Sequence, residues 1–395
     1  MTDQPKLRVH SIDILRGIVM IIMALDHTRD FFHIHAVTDS PTNLATTTPV
    51  LFFTRWITHF CAPTFVFLSG ISAYLAGRNK TGRELSAFLI KRGLWLVIAD
   101  ATIMTFALTF NPQFNIIFML VLWAIGLSMI ILGLLVLTSP TVILITGAII
   151  VLAHNLFDYF PLPLDKTWGL AVNLFANTSR SIVPLGANRI MVSSYAVIPW
   201  AGLMMLGYST GQLYNPAKFT PQRRMKVLLI AGISAICLFI ALRLINHYGD
   251  PAPFASQKDG ILTVLSFFNV TKYPPSLDFM CMTVGPSLIV LAITENLQNR
   301  FAAFVSVYGK VPFFYFVVHF YLLHVLLAVA FFASGYRLDQ ASEPKVPFLF
   351  HPLQFGFSLG AVYATWVFVV LVLYKPCKWF NNYRTTHNKR WLKYL

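Results

Sequence analysis

Apolar runs long enough to cross a lipid bilayer recur along this chain from one end to the other, and no soluble-sized segment separates them. A hydrocarbon core of about 30 Å needs roughly 20 apolar residues in a helix rising about 1.5 Å per residue. Segments at 12–28, 57–77, 93–110, 114–135, 140–156, 196–214, 227–246, 276–294, 311–333 and 355–374 approach that measure. Only "NPQ" and "SPT" interrupt the third-to-fourth and fourth-to-fifth of these, which reads as helical-hairpin turns. Charged residues make up 11% of the chain, against about 25% in a soluble domain. A lipid-facing surface holds charge at high cost, so the deficit fits the same class. The expected fold is all-α: a polytopic integral membrane protein of about ten transmembrane helices, forming one domain over 1–395.

The net charge of +15 would raise nucleic-acid binding in a soluble protein. Here the basic residues crowd segments that fall on one side of the membrane. They are Lys6 and Arg8, then 78–92, 218–226, 300–310 and 375–393. Placing that side in the cytoplasm satisfies the positive-inside bias and puts both termini there. Nucleic acid is not expected as a partner. The tail at 375–395 alternates aromatic and basic residues and reads as a cytoplasmic anchor on anionic lipid. The opposite side receives the longer loops, near 29–56, 157–195 and 247–275.

Cys61, Cys237, Cys281 and Cys377 show no CxxC spacing, no HExxH occurs, and no GxGxxG, Walker or GxSxG pattern carries a nucleotide or hydrolase reading. Metal, disulfide framework, nucleotide fold and serine hydrolase are therefore not expected. Asp13 and Arg16 interrupt the first apolar stretch, and the N-terminal segment does not read as a cleavable signal peptide.

That first stretch, "SIDILRGIVMIIMALDHTRDFFHIH", begins as a lipid-compatible helix and ends in Asp26, His27, Arg29, Asp30, His33 and His35. Arg16 and His27 are eleven residues apart, close to three helical turns, so they share a face about 16 Å apart. Met20 and Met23 lie between them. Intramembrane charges face a bundle interior or a wet cavity. The face thus suggests a channel with a cation at its inner end and a titratable imidazole at its outer end. His33, His35 and His351 read as interfacial caps. Other spans add His59, Asp100, the His154–Asn155 pair, and Tyr315 with His319 on one helical face. His324 is turned about 140° from His319. Lys272 and Tyr273 precede a rigid Pro-Pro turn.

The stretch resembles the bacterial membrane proteins of the heparan-alpha-glucosaminide N-acetyltransferase catalytic-domain family, within the wider transmembrane acyltransferase superfamily. "HFCAPTFVFLSG", "FLIKRGLWL", "LWAIGLSMI", "AHNLFD", "IPWAGLMMLGY", "NVTKYPPS", "YGKVPFFYFVVH" and "RWLKYL" agree with it along nearly the whole chain. The resemblance implies transfer of an acetyl group from acetyl-CoA, or another acyl-CoA, on the cytoplasmic side to an acceptor on the other. It also implies a bacterial inner membrane as the location. A histidine eleven residues after the arginine of a D-x-x-R-G motif is implicated in catalysis among related proteins, and Arg16 and His27 have that spacing. In the lysosomal member the active histidine lies in the first outer loop, at a position that falls on Thr38 here, beside His33 and His35.

Residue chemistry and resemblance then assign roles. Arg16, Lys91 and Arg92 are expected to hold the donor's phosphates. His27 is the expected general base, with Asp26 or Asp30 orienting it and His59 assisting. Arg29, Lys272, Tyr273 and His319 are expected at the substrate, where Arg29, Lys272 or His59 can also face an oxyanion. The acceptor is expected to be a carbohydrate or another small polar molecule. Membrane lipids surround the chain, and a homodimer is compatible with it. The competing class is a proton-coupled transporter, which also uses buried Arg, Asp and His. A carrier, however, would gather them at the midplane on broken helices.

Overall fold

The structure, a computed structural model, describes residues 9–160, 166–176, 181–186, 188–387, 389 and 392. Lys6, Arg8, Arg180, Arg390, Lys393 and most of the closing "RWLKYL" lie outside the described residues. The helices in chain order begin with α1 (His10–Phe32), α2 (Pro49–Trp56), α3 (Cys61–Gly77), α4 (Gly82–Ala99), α5 (Thr105–Thr109), α6 (Val121–Leu135), α7 (Pro140–Ala153) and α8 (Thr167–Ala176). They continue with α9 (Val197–Thr210), α10 (Pro221–Ile245), α11 (Gly260–Phe268), α12 (Leu277–Ile293), α13 (Arg300–Lys310), α14 (Pro312–Ala333) and α15 (Leu359–Thr386).

The chain is mostly helical, and it is an integral membrane protein. Among the described residues, five continuous helical segments are long and apolar enough to span a bilayer: Pro49–Gly77, Pro140–Tyr159, Pro221–Ile245, Pro312–Ala333 and Leu359–Thr386. Large apolar side chains such as Ile145, Ile149, Ile233, Leu244 and Leu371 face outward, while Asp26, Arg29, His59, Asp100 and His319 are buried. That inverts the usual arrangement of a soluble protein, as a lipid surround requires. α1 is long enough too, at 23 residues, but its charges set it apart from the apolar five.

The structure departs from the all-α expectation in one region. Residues Ile116–Met119, expected within the fourth span, form a strand (β1). It pairs in parallel with β3 (Arg189–Ser193), which pairs antiparallel with β2 (Ser181–Gly186), in the order β1-β3-β2. The helix of that span, α6, therefore starts only at Val121. Its start is fixed by Asp100, whose Oδ2 accepts from the amides of Leu120 at 2.7 Å and Trp123 at 2.8 Å. A carboxylate at a helix N-terminus satisfies amides that have no partner inside the helix.

α1 is the central element. It packs against α3, α12, α13, α14 and α15, and most of its residues are buried. At its Arg16 end the approach to α13 is backbone on backbone. A Cβ on Gly17 would lie 1.9 Å from the Val305 carbonyl oxygen, and one on Gly309 would lie 1.9 Å from that of Asp13. Neither oxygen can move without parting the helices. Overpacking of this kind costs about 1–3 kcal/mol or more. Gly17→Ala is expected to lower the thermal unfolding midpoint of the detergent-solubilised protein. An unchanged midpoint would show that the two helices separate freely.

Candidate active site

Two polar clusters form at the two ends of α1, held about three turns apart by one unbroken helix. At the first, Arg16 Nη1 meets Asp13 at 3.4 Å and donates to the Gly309 carbonyl at 3.1 Å. Its Nη2 donates to Ser72 Oγ at 2.9 Å. The next residue after Gly309, Lys310, offers its carbonyl to Arg384 of α15 at 2.7 Å. Arg92 of α4 is close enough to feel the charges of both Arg16 and Arg384. Its Nε is buried without a hydrogen-bond partner among the described residues. Three guanidinium groups thus converge with the Asp13 carboxylate beside them. Like charges gather this way where an anion can be held between them, and arginine forks suit phosphate.

At the other end of α1, His27 Nδ1 lies 2.7 Å from Nε2 of His319 on α14. His319 Nδ1 in turn lies 2.9 Å from the Tyr315 carbonyl oxygen, one turn earlier. The Phe320 ring stands 4.2 Å and the Phe316 ring 6.2 Å from the His27 ring, centroid to centroid. His27 Nε2 carries no hydrogen bond among the described residues.

Beside this pair runs an ion-pair network. Arg29 Nη2 meets Asp26 at 3.1 Å and Asp30 at 2.6 Å. Arg55 of α2 bonds the second oxygen of Asp26 and approaches Thr58 Oγ1 at 3.4 Å. His59, one turn beyond Arg55, is buried with an unpartnered Nδ1 among the described residues. Lys272 acts electrostatically on Asp26, His27 and His59, yet forms no ion pair among the described residues. Its Nζ lies 5.2 Å from the Tyr273 ring centroid. The Tyr273 and Tyr195 hydroxyls are 3.3 Å apart. Burial works to raise the Tyr273 phenol, but Lys272 and Arg55 beside it prevail and hold it below the ordinary tyrosine value. Burial and the neighbouring Tyr273 push Tyr195 well up.

The loop bearing Lys272 and Tyr273 is clamped from the 3-10 turn that follows α7. His154 Nε2 lies 2.7 Å from the Pro275 carbonyl, and Asn155 Oδ1 accepts from the Leu277 amide at 2.9 Å. The "AHNLFD" and "NVTKYPPS" stretches therefore meet, which gives both a positional role. His324 is held between the carbonyls of Ala107 and Leu349, each at 3.1 Å, away from His27.

Of the residues singled out from sequence, Asp26, His27, Arg29, Asp30, His59, Lys272, Tyr273 and His319 come together around the His27 cluster. Arg16 and Arg92 come together at the other. Lys91 is exposed, one step of about 100° around α4 from Arg92, and does not join them. Asp26 and Asp30 do not bond His27: both Asp26 oxygens and Oδ1 of Asp30 are engaged by Arg29 and Arg55, and the residue that does bond His27 is His319. Sequence reasoning missed Arg55, Arg384 and Tyr195. Arg55 had a signal, four residues before His59 and so on one helical face with it. Arg384 and Tyr195 had none.

Among the described residues no group of His, Cys, Asp and Glu is arranged to hold a metal ion. A family model described as heparan-alpha-glucosaminide N-acetyltransferase, catalytic, matches residues 8–242, more than half of the chain. That match contains α1 and the Arg92 and Arg55 segments but ends before Lys272, His319 and Arg384. No curated protein matches the chain.

Proposed function

The chain belongs to the heparan-alpha-glucosaminide N-acetyltransferase catalytic family, a family of membrane acetyltransferases, and from that premise we propose that it moves an acetyl or other short acyl group from cytoplasmic acyl-CoA to a sugar-type hydroxyl or amine on the extracytoplasmic side. The observation that carries this reading is the span of α1. At one end the helix brings Arg16 to Arg92 of α4 and Arg384 of α15, a triple-arginine anion site. At the other it presents an imidazole with an open nitrogen, about 16 Å away. A donor with a phosphate-rich head and a slender thioester arm matches both ends. The orphaned Arg92 Nε is a donor for which a phosphate oxygen would be the acceptor.

The acyl-CoA supplies an activated acyl carbon on a thiolate leaving group. Arg16, Arg92 and Arg384 hold its phosphates. His27 removes the acceptor's hydroxyl or amine proton as the acceptor oxygen or nitrogen bonds to the acyl carbon. Lys272, the cation of the outer cluster that forms no ion pair among the described residues, stabilises the negative charge that gathers on the carbonyl oxygen. The carbon–sulfur bond breaks, and His27 returns its proton to the departing thiolate. Tyr273 and Tyr195 offer aromatic faces and hydroxyls for a sugar, and Arg29 and His59 border the same space. The triple-arginine end lies at the cytoplasmic face and the His27 end at the opposite one, in keeping with the distribution of basic residues.

Calorimetry with acetyl-CoA on the purified protein in detergent tests the reading. Saturable binding is expected. Arg16→Ala should weaken it about 10- to 100-fold, the loss of a charged hydrogen bond being worth about 1.5–3 kcal/mol. Arg16→Lys, which keeps the charge, should fall between. A folded wild-type protein that binds neither acetyl-CoA nor CoA would overturn it.

A further inference from the structure

We propose that His319 is a positioning residue that locks His27 as its Nδ1–H tautomer and thereby makes His27 Nε2 the basic nitrogen of the site. The inference rests on the acyl-transfer reading for its consequence, though not for its geometry.

Hydrogen-bond capacity fixes the tautomers. The Tyr315 carbonyl can only accept, so His319 Nδ1, 2.9 Å away, carries the hydrogen. A neutral imidazole has one N–H, so His319 Nε2 is left with a lone pair. Its partner at 2.7 Å is His27 Nδ1, which must then donate. That leaves His27 Nε2 with the lone pair and without a partner among the described residues. The opposite polarity would need a cationic His319. His319 is fully buried, against the rings of Tyr315 at 5.3 Å and Phe320 at 4.6 Å, and no ion pair reaches it among the described residues. A buried charge with no counter-charge is disfavoured. The relay is also geometrically stiff. The two imidazoles lie within 20° of parallel, and Phe320 covers the His27 ring at 4.2 Å.

A backbone carbonyl here does the work that a carboxylate does in a Ser-His-Asp triad: it fixes which nitrogen is free. It does so through one intervening ring, and without a second negative charge near the reacting carbonyl. Asp26 and Asp30 serve the arginines instead, Asp26 through both oxygens and Asp30 through Oδ1.

The test is nitrogen-15 NMR of histidine-labelled full-length protein in nanodiscs, with the His27 signals assigned by their disappearance in His27→Gln. In the wild type, Nδ1 of His27 is expected to be protonated and Nε2 not. His319→Phe removes the acceptor and should shift His27 towards the Nε2–H form. It should also lower kcat about 100-fold or more, while acetyl-CoA affinity changes less than twofold. His319→Gln returns an acceptor oxygen to the same place and should restore the wild-type tautomer and most of the rate. A wild-type His27 protonated on Nε2, or a tautomer unmoved by His319→Phe, would overturn the proposal. Should His319→Phe not fold, the wild-type spectrum and the Gln variant still decide. The spectra need no turnover, so a protein that never transfers acyl groups would sink the functional reading while leaving the tautomer measured.

Discussion

His27→Ala is expected to reduce acyl transfer about 10²- to 10⁴-fold, the usual contribution of a positioned general base, while leaving acetyl-CoA binding within a factor of about two. The separation follows from distance. The donor's phosphates would be held at the triple-arginine end, about 16 Å along α1 from the imidazole, so truncating the imidazole touches none of the groups that grip the donor. His27 is also poorly placed to be a structural residue. Its one hydrogen bond is to His319, and the ring is only partly buried. Transfer of labelled acetyl from acetyl-CoA to a panel of amino sugars and sugar alcohols, run beside calorimetry on the same preparation, checks both halves. Full turnover in a folded His27→Ala protein would remove His27 from the chemistry. Loss of donor binding along with turnover would mean that the two ends of α1 are not independent, and the proposed division of labour would fail with it.

Much of this was legible in the sequence because the site is built on one helix. The eleven-residue interval from Arg16 to His27 converts directly into a shared face, and a helix that carries both cannot rearrange them. The clustering of Asp26, Arg29 and Asp30 was equally visible, since i and i+3 neighbours meet on any helix. What stayed hidden lies across the fold. Arg55 reaches Asp26 only after a loop returns the chain to α1, and Arg384 and His319 come from helices roughly 300 residues or more away. Periodicity carries no information about which faces will meet. Polar expectation also misled at Asp26 and Asp30. Asp26 stands beside His27 in sequence, but adjacent helical positions point about 100° apart, and Asp30, three residues on, pairs with Arg29 instead. The strand at Ile116–Met119 was lost for a different reason: a short run of Ile, Phe and Met has no period that separates a buried strand from a buried helix. Only the pairing with β3, more than seventy residues later, makes it a strand.

Asp26→Ala is expected to destabilise the protein by about 3–5 kcal/mol, because it strips Arg55 of its ion-pair partner and leaves Arg29 with Asp30 alone. Arg29 and Arg55 both bond Asp26, with side chains 5% and 16% exposed, and neither can turn to water without leaving the bundle. Asp30 provides the contrast. It also pairs with Arg29, but its side chain is 40% exposed, and solvent-screened pairs are worth about 0–1 kcal/mol. Asp30→Ala should therefore shift the unfolding midpoint far less than Asp26→Ala in the same detergent. The double variant Asp26→Ala/Arg55→Ala separates charge burial from packing. If the penalty comes from the stranded cation, removing Arg55 as well should recover part of the loss, since a buried pair deleted together costs less than one partner deleted alone. A double variant no more stable than Asp26→Ala would place the penalty in packing instead. The comparison also bears on catalysis. Lys272 is the cation of this cluster that forms no ion pair among the described residues, and Asp26 is one of the charges acting on His27 alongside it. Removing Asp26 leaves the surroundings of the imidazole more positive, which opposes the protonated form that His27 must adopt midway through transfer. A variant that keeps its fold should thus lose kcat as well. Equal stability with unchanged kcat would mean that the network neither supports the bundle nor tunes the base.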